Sequence, residues 1–209
     1  MQYLYLHGFA SGPQSAKAKY LRQRFAGLGL ELICPDLNEP EFRTLTLSRQ
    51  IAQVESLLDD GPVTLLGSSF GGLTGAWLAQ RNPQVERLVL LAPAFDFSRR
   101  YRELIGAEEL ERWRQQGTRQ FHHWQALQPQ PLDYGFVTDL DRWDESELQR
   151  SLPTLILHGR QDEVIPLQSS QTYAAERPWV MLETLESDHG LGNVVSVLWR
   201  RTRCFLNAE

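Results

Sequence analysis

A serine in a turn of small residues is the clearest chemical signal in the sequence. The segment Gly67-Ser68-Ser69-Phe70-Gly71 fits the pattern G-x-S-x-G in one frame only, with Ser69 at its centre. The apolar segment Val63–Leu66 precedes it and a helix-like segment follows. Between a strand and a helix, such a turn strains the serine backbone and exposes the hydroxyl above the sheet. The pattern favours a nucleophilic serine over a Gly/Ser turn without chemistry.

A serine hydroxyl is a weak nucleophile, so this hypothesis requires a base. His189 follows the strand-like segment Val180–Leu185 and is the only histidine after Asp162. Asp162 itself lies in a loop that follows the strand-like segment Thr154–Leu157. Because polar residues after parallel strands collect at one sheet edge, we expect Ser69, Asp162 and His189 to converge.

Two other carboxylates compete with Asp162 as the group that orients the base. Asp188 is adjacent to His189 in sequence, and neighbouring side chains tend to diverge. Asp96 follows the strand-like segment Leu88–Ala92, which should lie beside the serine strand. Asp96 is therefore the stronger of the two alternatives.

Stabilisation of a tetrahedral intermediate would require two backbone N–H donors near the serine. The start of the helix after Ser69 can supply one of them, from Phe70. The loop His7-Gly8-Phe9-Ala10 follows the first strand and can supply the other, from Phe9 or Ala10.

The remaining histidines indicate packing rather than chemistry. His158 lies where a strand becomes a loop, a position from which it can bond to the backbone. The pair His122-His123 has no Cys, His or Asp at metal-ligand spacing, so we expect no metal and no cofactor.

Apolar runs alternate with helix-like segments along the chain, which is typical of a parallel sheet covered by helices on both faces. The expected strands are Gln2–His7, Leu30–Cys34, Val63–Leu66, Leu88–Ala92, Thr154–Leu157 and Val180–Leu185.

One connection, between Ala92 and Pro153, is about 60 residues long and breaks this alternation. We interpret residues 95–150 as a small cap that contains a helix over Ala107–Gln116. Its aromatic residues either pack the cap or line an apolar acyl pocket over Ser69. Phe95 and Trp124 are the candidates for substrate binding.

Composition limits the classes of function. The 209 residues are 42% hydrophobic and 22% charged, which is typical of a globular chain. A net charge of −5 disfavours nucleic-acid binding, since phosphate contacts require Lys and Arg. No apolar run is long enough for a membrane span. Two cysteines and a strand-like rather than leader-like start lead us to expect a cytoplasmic location.

The motifs HGF, GSSFGG, HGRQDEVIP and SDHGL, in this order, resemble the α/β-hydrolase superfamily. The start LHGFASGPQSAKA and the GSSFGG motif further resemble the small bacterial YqiA-type esterases. The resemblance covers the chain outside residues 95–150.

This resemblance implies a Ser69–Asp162–His189 triad with an oxyanion hole formed by the amides of Phe9 and Phe70. It implies a cofactor-free esterase for carboxylic esters with short or medium acyl groups. A thioesterase, an acyltransferase, a peptidase and a non-catalytic ligand-binding relative remain alternatives. It also implies one domain, residues 1–209, with a three-layer α/β fold. Its mostly parallel sheet should have six strands in the order 2-1-3-4-5-6. The oligomeric state is left open.

Overall fold

Strands and helices alternate along the chain, as the apolar segments predict. The computed structural model describes residues 1–207. Its strands are β1 (Gln2–Leu6), β2 (Val63–Ser68), β3 (Val85–Leu91), β4 (Thr118–His123), β5 (Gln128–Asp133), β6 (Thr154–Gly159) and β7 (Val180–Leu185). Its α-helices are α1 (Ala16–Ala26), α2 (Leu47–Glu55), α3 (Phe70–Arg81), α4 (Phe97–Ile105), α5 (Ala107–Gln116), α6 (Gly135–Leu140), α7 (Leu167–Ala175) and α8 (Val195–Leu206).

The main sheet is parallel and has the order β1-β2-β3-β6-β7. Every residue of β2 and β6 is buried, because helices cover both faces of the sheet. Adjacent residues of β2 therefore join different cores: Leu65 packs on the α2 and α3 side, and Leu66 packs on the α1 and α8 side. The predicted three-layer α/β fold is confirmed.

The expected strand at residues 30–34 is reduced to a single bridge, so the sheet has five strands rather than six. Ile33 lies beside β1, where the predicted order places it. Its amide donates to the Tyr3 carbonyl, and its carbonyl accepts from the Tyr5 amide, at 2.9 and 2.7 Å. Pairing cannot continue through Pro35, which has no backbone N–H.

The long connection between β3 and β6 folds into α4, α5, an antiparallel β4–β5 hairpin and α6. Helix α5 has the limits predicted from the sequence. Trp113 is buried, and its indole N–H donates to the Leu132 carbonyl at 2.9 Å. The insertion shares its apolar core with α2 and α3, so it packs on the side of the sheet that these two helices cover.

The longest α-helices, α3 and α8, contain 12 residues each. Across residues 1–207, none of the helices has both the length and the apolarity of a membrane-spanning segment.

A carboxylate holds the first helix of the insertion in place. Glu145 lies in a short 3-10 turn, and its oxygens accept the Asp96 and Phe97 amides at 2.8 and 3.2 Å. These amides belong to the N-terminal end of α4, which has no intrahelical partner for them. Burial raises the pKa of Glu145 to about 7, although these hydrogen bonds act in the opposite direction.

We predict that ionisation of Glu145 lowers the unfolding free energy as the pH rises through neutrality. With a raised pKa, the folded state binds more protons than the unfolded state between about pH 4.5 and 7. Wild type should therefore lose roughly 1–3 kcal/mol of unfolding free energy relative to Glu145→Gln between pH 5 and 8. Urea unfolding of both proteins at several pH values measures this difference.

The control is Glu147→Gln, which changes an exposed carboxylate in the same 3-10 turn. Its unfolding free energy should remain parallel to that of wild type across the pH range. Parallel curves for Glu145→Gln as well would contradict the prediction.

Candidate active site

Ser69 lies directly after β2 in a strained backbone conformation. Its φ and ψ are 54° and −120°, which a non-glycine residue adopts at an energetic cost. The Ser69 amide donates to the Leu91 carbonyl at 2.9 Å, and its carbonyl accepts from the Gly72 and Ala94 amides at 2.8 and 3.1 Å. These bonds hold the turn and direct the hydroxyl away from the sheet.

The turn requires glycine on both sides of the serine. A Cβ atom on Gly67 would lie 2.4 Å from the Gly71 carbonyl oxygen. A Cβ atom on Gly71 would lie 2.3 Å from the Leu6 oxygen and 2.5 Å from the His7 oxygen. Both distances are far below van der Waals contact, so the G-x-S-x-G spacing has a steric cause here.

The structure brings Ser69, His189 and Asp162 into one hydrogen-bonded chain. His189, in the loop after β7, has Nε2 at 3.0 Å from the Ser69 Oγ. Its Nδ1 is 2.8 Å from Asp162 Oδ2. Three residues that follow three separate strands thus meet at the carboxyl edge of the sheet, as the sequence predicts.

The Asp162 side chain is 0% exposed and has hydrogen-bond partners on both oxygens. Its Oδ1 accepts the Val164 and Ile165 amides at 2.9 and 2.7 Å. Burial alone would raise the pKa of Asp162, but the hydrogen bonds from His158 and His189 outweigh burial and hold this pKa well below its usual range. Asp162 is therefore an anion at neutral pH.

An ionised Asp162 determines the tautomer of His189. A carboxylate only accepts hydrogen bonds, so the proton of neutral His189 lies on Nδ1. Nε2 then has a free lone pair that can accept the Ser69 hydroxyl proton. The arrangement can deprotonate the serine as it attacks an electrophile.

The two alternative acids have other partners. Asp188 Oδ1 accepts the Leu191 amide at 3.2 Å. The Asp96 carboxylate forms ion pairs with Arg99 and Arg100. Within the described part of the chain, neither of them hydrogen-bonds to His189.

His158 has a contact that the sequence did not indicate. It is fully buried, its Nδ1 is 2.8 Å from the Ser170 hydroxyl, and its Nε2 is 2.9 Å from the Ile165 carbonyl. The same Nε2 lies 3.1 Å from Asp162 Oδ2. His158 therefore ties the loop that carries Asp162 to α7, and its position after β6 was the available sequence signal.

The loop after β1 lies directly against the serine. A Cβ atom on Gly8 would be 3.3 Å from Ser69 Cβ and 3.8 Å from its Oγ. Buried His7 holds this loop, because its Nε2 accepts the Leu37 amide at 2.9 Å and its Nδ1 lies 2.9 Å from the Gly8 carbonyl.

Phe9 follows Gly8 in this loop, and Phe70 follows Ser69 as the first residue of α3. Among residues 1–207, neither amide donates to another protein group. Phe70 is the first residue of a helix, where the N–H has no intrahelical acceptor and the helix dipole favours negative charge. Neither amide is therefore already used by a protein acceptor in the described part of the chain.

A cavity of about 780 Å³ opens over Ser69 and His189. Trp124 lies on its wall and is 67% exposed. The insertion supplies about half of the apolar wall; its residues there are Phe97, Tyr101, Leu104, Phe121 and Trp124.

The structure places Phe95 outside this cavity, contrary to its assignment as a substrate-binding residue. Its ring stacks on Tyr173, with centroids 3.9 Å apart. After β3 the chain turns toward α7, and this contact keeps the ring away from Ser69. The position of Phe95 shortly after β3 in sequence was therefore not sufficient to predict that its ring lines the cavity.

Lys17 also lines the cavity, although it is not among the site residues predicted from the sequence. It lies on α1, whose amphipathic pattern indicates only packing. The available signal was composition, because Lys17 and Lys19 are the only lysines in the chain.

Comparison with known proteins adds a family and a fold. The profile of the uncharacterised protein family UPF0227 matches residues 2–205. No curated protein matches the sequence significantly.

Solved structures match over nearly the whole chain. Mouse alpha/beta hydrolase domain-containing protein 10 is 22% identical with a TM-score of 0.80, covering 99% of this chain and 89% of its own. Est1E from Butyrivibrio proteoclasticus, with ferulic acid bound, is 18% identical with a TM-score of 0.83, covering 99% and 88%. A protein from Agrobacterium vitis S4 is 24% identical with a TM-score of 0.81, covering 100% and 88%. The chain therefore belongs to the UPF0227 family and has the α/β-hydrolase fold that its motifs indicate.

Proposed function

We propose that the protein is a serine hydrolase that cleaves carboxylic acyl esters through an acyl-enzyme intermediate. The observation that carries this proposal is the hydrogen-bonded chain from Asp162 through His189 to Ser69 at the floor of an open cavity. Hydrolase chemistry is the broad part of the proposal, and a carboxylic ester with a short or medium acyl group is the specific part.

In the first half of the reaction, Ser69 Oγ attacks the ester carbonyl while His189 Nε2 takes its proton. Asp162 stabilises the imidazolium that forms, because its carboxylate is buried against Nδ1. The amides of Phe9 and Phe70 hold the oxyanion, a contribution of roughly 3–4 kcal/mol for each such donor. The imidazolium then protonates the leaving alcohol, which departs.

In the second half, water takes the place of the alcohol. His189 removes a proton from the water, which attacks the acyl carbonyl, and then returns a proton to Ser69 Oγ. The products are a carboxylic acid and the free enzyme. The relative Est1E holds ferulic acid, which is a carboxylic acid, on a similar fold.

The insertion has the place of a cap in this proposal. We take residues 1–209 as one domain in which residues 95–150 roof the site. The cavity volume of about 780 Å³ is ample for an acyl group, and its roof is largely aromatic. Both cysteines, Cys34 and Cys204, are free, which supports the cytoplasmic location that we include in the proposal.

The same three residues would also serve a thioesterase, an acyltransferase or a peptidase, since the fold does not determine the acceptor. A non-catalytic relative is less compatible with the site, because binding alone requires neither the Ser69 strain nor the buried Asp162 anion.

We predict that Ser69→Ala abolishes turnover of 4-nitrophenyl butyrate while the protein still folds. The alanine lacks the oxygen that becomes acylated, and the backbone turn is retained. A fluorophosphonate probe should label wild type on the peptide that contains Ser69, and should leave Ser69→Ala unlabelled. Peptide mass spectrometry measures the site of labelling, and circular dichroism measures folding.

The control is Ser56→Ala, which removes an exposed hydroxyl at the end of α2. Its turnover and labelling should equal those of wild type. Wild-type turnover by Ser69→Ala would contradict the assignment of the nucleophile.

We predict that Asp162→Asn lowers kcat by about 10³–10⁴, because a neutral amide no longer selects the productive His189 tautomer. Asp188→Asn removes the nearest alternative acid and should lower kcat far less. Steady-state kinetics on 4-nitrophenyl butyrate provide both values. Equal losses in the two variants would remove Asp162 from the orienting role.

We predict that the apolar roof sets a preference for acyl length. In wild type, kcat/KM for 4-nitrophenyl esters should rise from acetate to hexanoate, because added methylenes leave water. Trp124→Ala should reduce the gain for hexanoate several-fold and leave acetate almost unchanged. The control is Leu127→Ala, which removes an exposed apolar side chain beyond the cavity wall. A flat series from acetate to decanoate in wild type would contradict a defined acyl pocket.

A further inference from the structure

The cavity over Ser69 has two chemically different ends. Under the insertion its wall is mainly aromatic and aliphatic, as described above. Two charged residues also line that part, Arg100 and Glu103, and each is paired, with Asp96 and with Arg99 respectively. The other part of the wall, the polar end, is lined by hydroxyl-bearing and cationic side chains from β1, the loop that follows it and α1; these are Tyr5, Ser11, Ser15 and Lys17. An apolar acyl group needs only the first end, so the second end requires a separate explanation.

Lys17 is the charged residue of this polar end. Its ammonium Nζ donates one hydrogen bond, to the Gly190 carbonyl at 2.8 Å. An ammonium group has three donors, so two of them remain available. Gly190 is adjacent to His189, so the cation is held to the loop that carries the base.

The Lys17 ammonium has no close counter-ion in the described part of the chain. No carboxylate of residues 1–207 lies within 4.0 Å of its Nζ. Asp162 and Asp188 are the nearest acidic influences, and each already accepts backbone amides. Burial lowers the pKa of Lys17 to about 8, and these two carboxylates partly offset the effect. The group therefore remains mostly cationic at pH 7.

The position of Lys17 identifies the part of the substrate that it faces. His189 must protonate the leaving group, so the alcohol or thiol departs on the side of His189. The Lys17 ammonium is held to the residue that follows His189. A group carried by the leaving alcohol or thiol thus reaches the cation, whereas the acyl chain extends toward the insertion.

We propose that the polar end binds an anionic group, a carboxylate or a phosphate, on the leaving alcohol or thiol, with Lys17 as the specificity-determining residue. This inference rests on the proposed function. The reaction remains a hydrolysis: water adds across the acyl bond, and the products are a carboxylic acid and a leaving group that keeps its anion.

The test compares substrates that differ only in charge on the leaving group. One pair is the butyryl thioester of N-acetylcysteine, which carries a carboxylate, and that of N-acetylcysteamine, which does not. The other pair is the butyryl thioester of 2-mercaptoethyl phosphate and that of 2-mercaptoethanol. In wild type, kcat/KM should be at least tenfold higher for the anionic member of one pair or of both. The pair that shows the preference distinguishes a carboxylate site from a phosphate site.

Lys17→Met should remove this preference, because it should lower kcat/KM for the anionic thioesters at least tenfold more than for the neutral ones. Lys17→Arg should retain a substantial part of it, because the charge remains. The control is Lys19→Met, which removes the other lysine, an exposed residue of the same helix. Its preference should equal that of wild type.

A merely structural role for Lys17, through its bond to Gly190, gives a different result. Lys17→Met would then lower kcat for neutral and anionic thioesters by the same factor. That result overturns the inference, as does the absence of any charge preference in wild type. The preference should also decline above about pH 8, as the ammonium loses its proton.

Failure of this inference is distinguishable from failure of the proposed function. If wild type hydrolyses the neutral thioesters without a charge preference, only the anion site is refuted. If wild type hydrolyses no ester or thioester and no fluorophosphonate labels Ser69, the proposed function itself is refuted and the inference with it.

Discussion

The strained backbone of Ser69 is the constraint on which the arrangement of the site depends. Its positive φ lets the chain pass from a buried strand into α3 within one residue. The cost is offset by hydrogen bonds to the adjacent β3 region and by the absence of side chains at Gly67 and Gly71. Close approach at Gly71 also brings the end of β1 to the turn, so the loop through Gly8 lies against the serine.

The buried charge of Asp162 is a second constraint on the fold. Asp162 has no exposed side-chain surface, so its charge must be compensated by hydrogen bonds from the protein. Two backbone amides, His189 and His158 provide them. These contacts join the loops after β6 and β7 into one unit, and the position of the base relative to Ser69 depends on that unit. Charge burial and orientation of the base therefore have the same structural origin.

The strand ends of a parallel sheet explain why Ser69, Asp162 and His189 could be predicted to meet from sequence alone. The positions of side chains that depend on tertiary packing could not be predicted in this way. Pairing at Ile33 stops after one bridge because Pro35 lacks an amide, an effect that apolar pattern alone does not show. Phe95 stacks on a residue of α7, and Glu145 caps α4 across about 50 residues of chain. Such contacts join segments whose relative position the local pattern does not contain.

In the proposed reaction, Ser69 carries the acyl group during turnover. Rapid chemical quenching of wild type mixed with 4-nitrophenyl butyrate, followed by peptide mass spectrometry, tests it most directly. We expect a butyryl adduct on the peptide that contains Ser69, formed in step with the burst of 4-nitrophenol and lost as water attacks. Turnover with no adduct at any time during a resolved burst, or with the adduct on another residue, would contradict it.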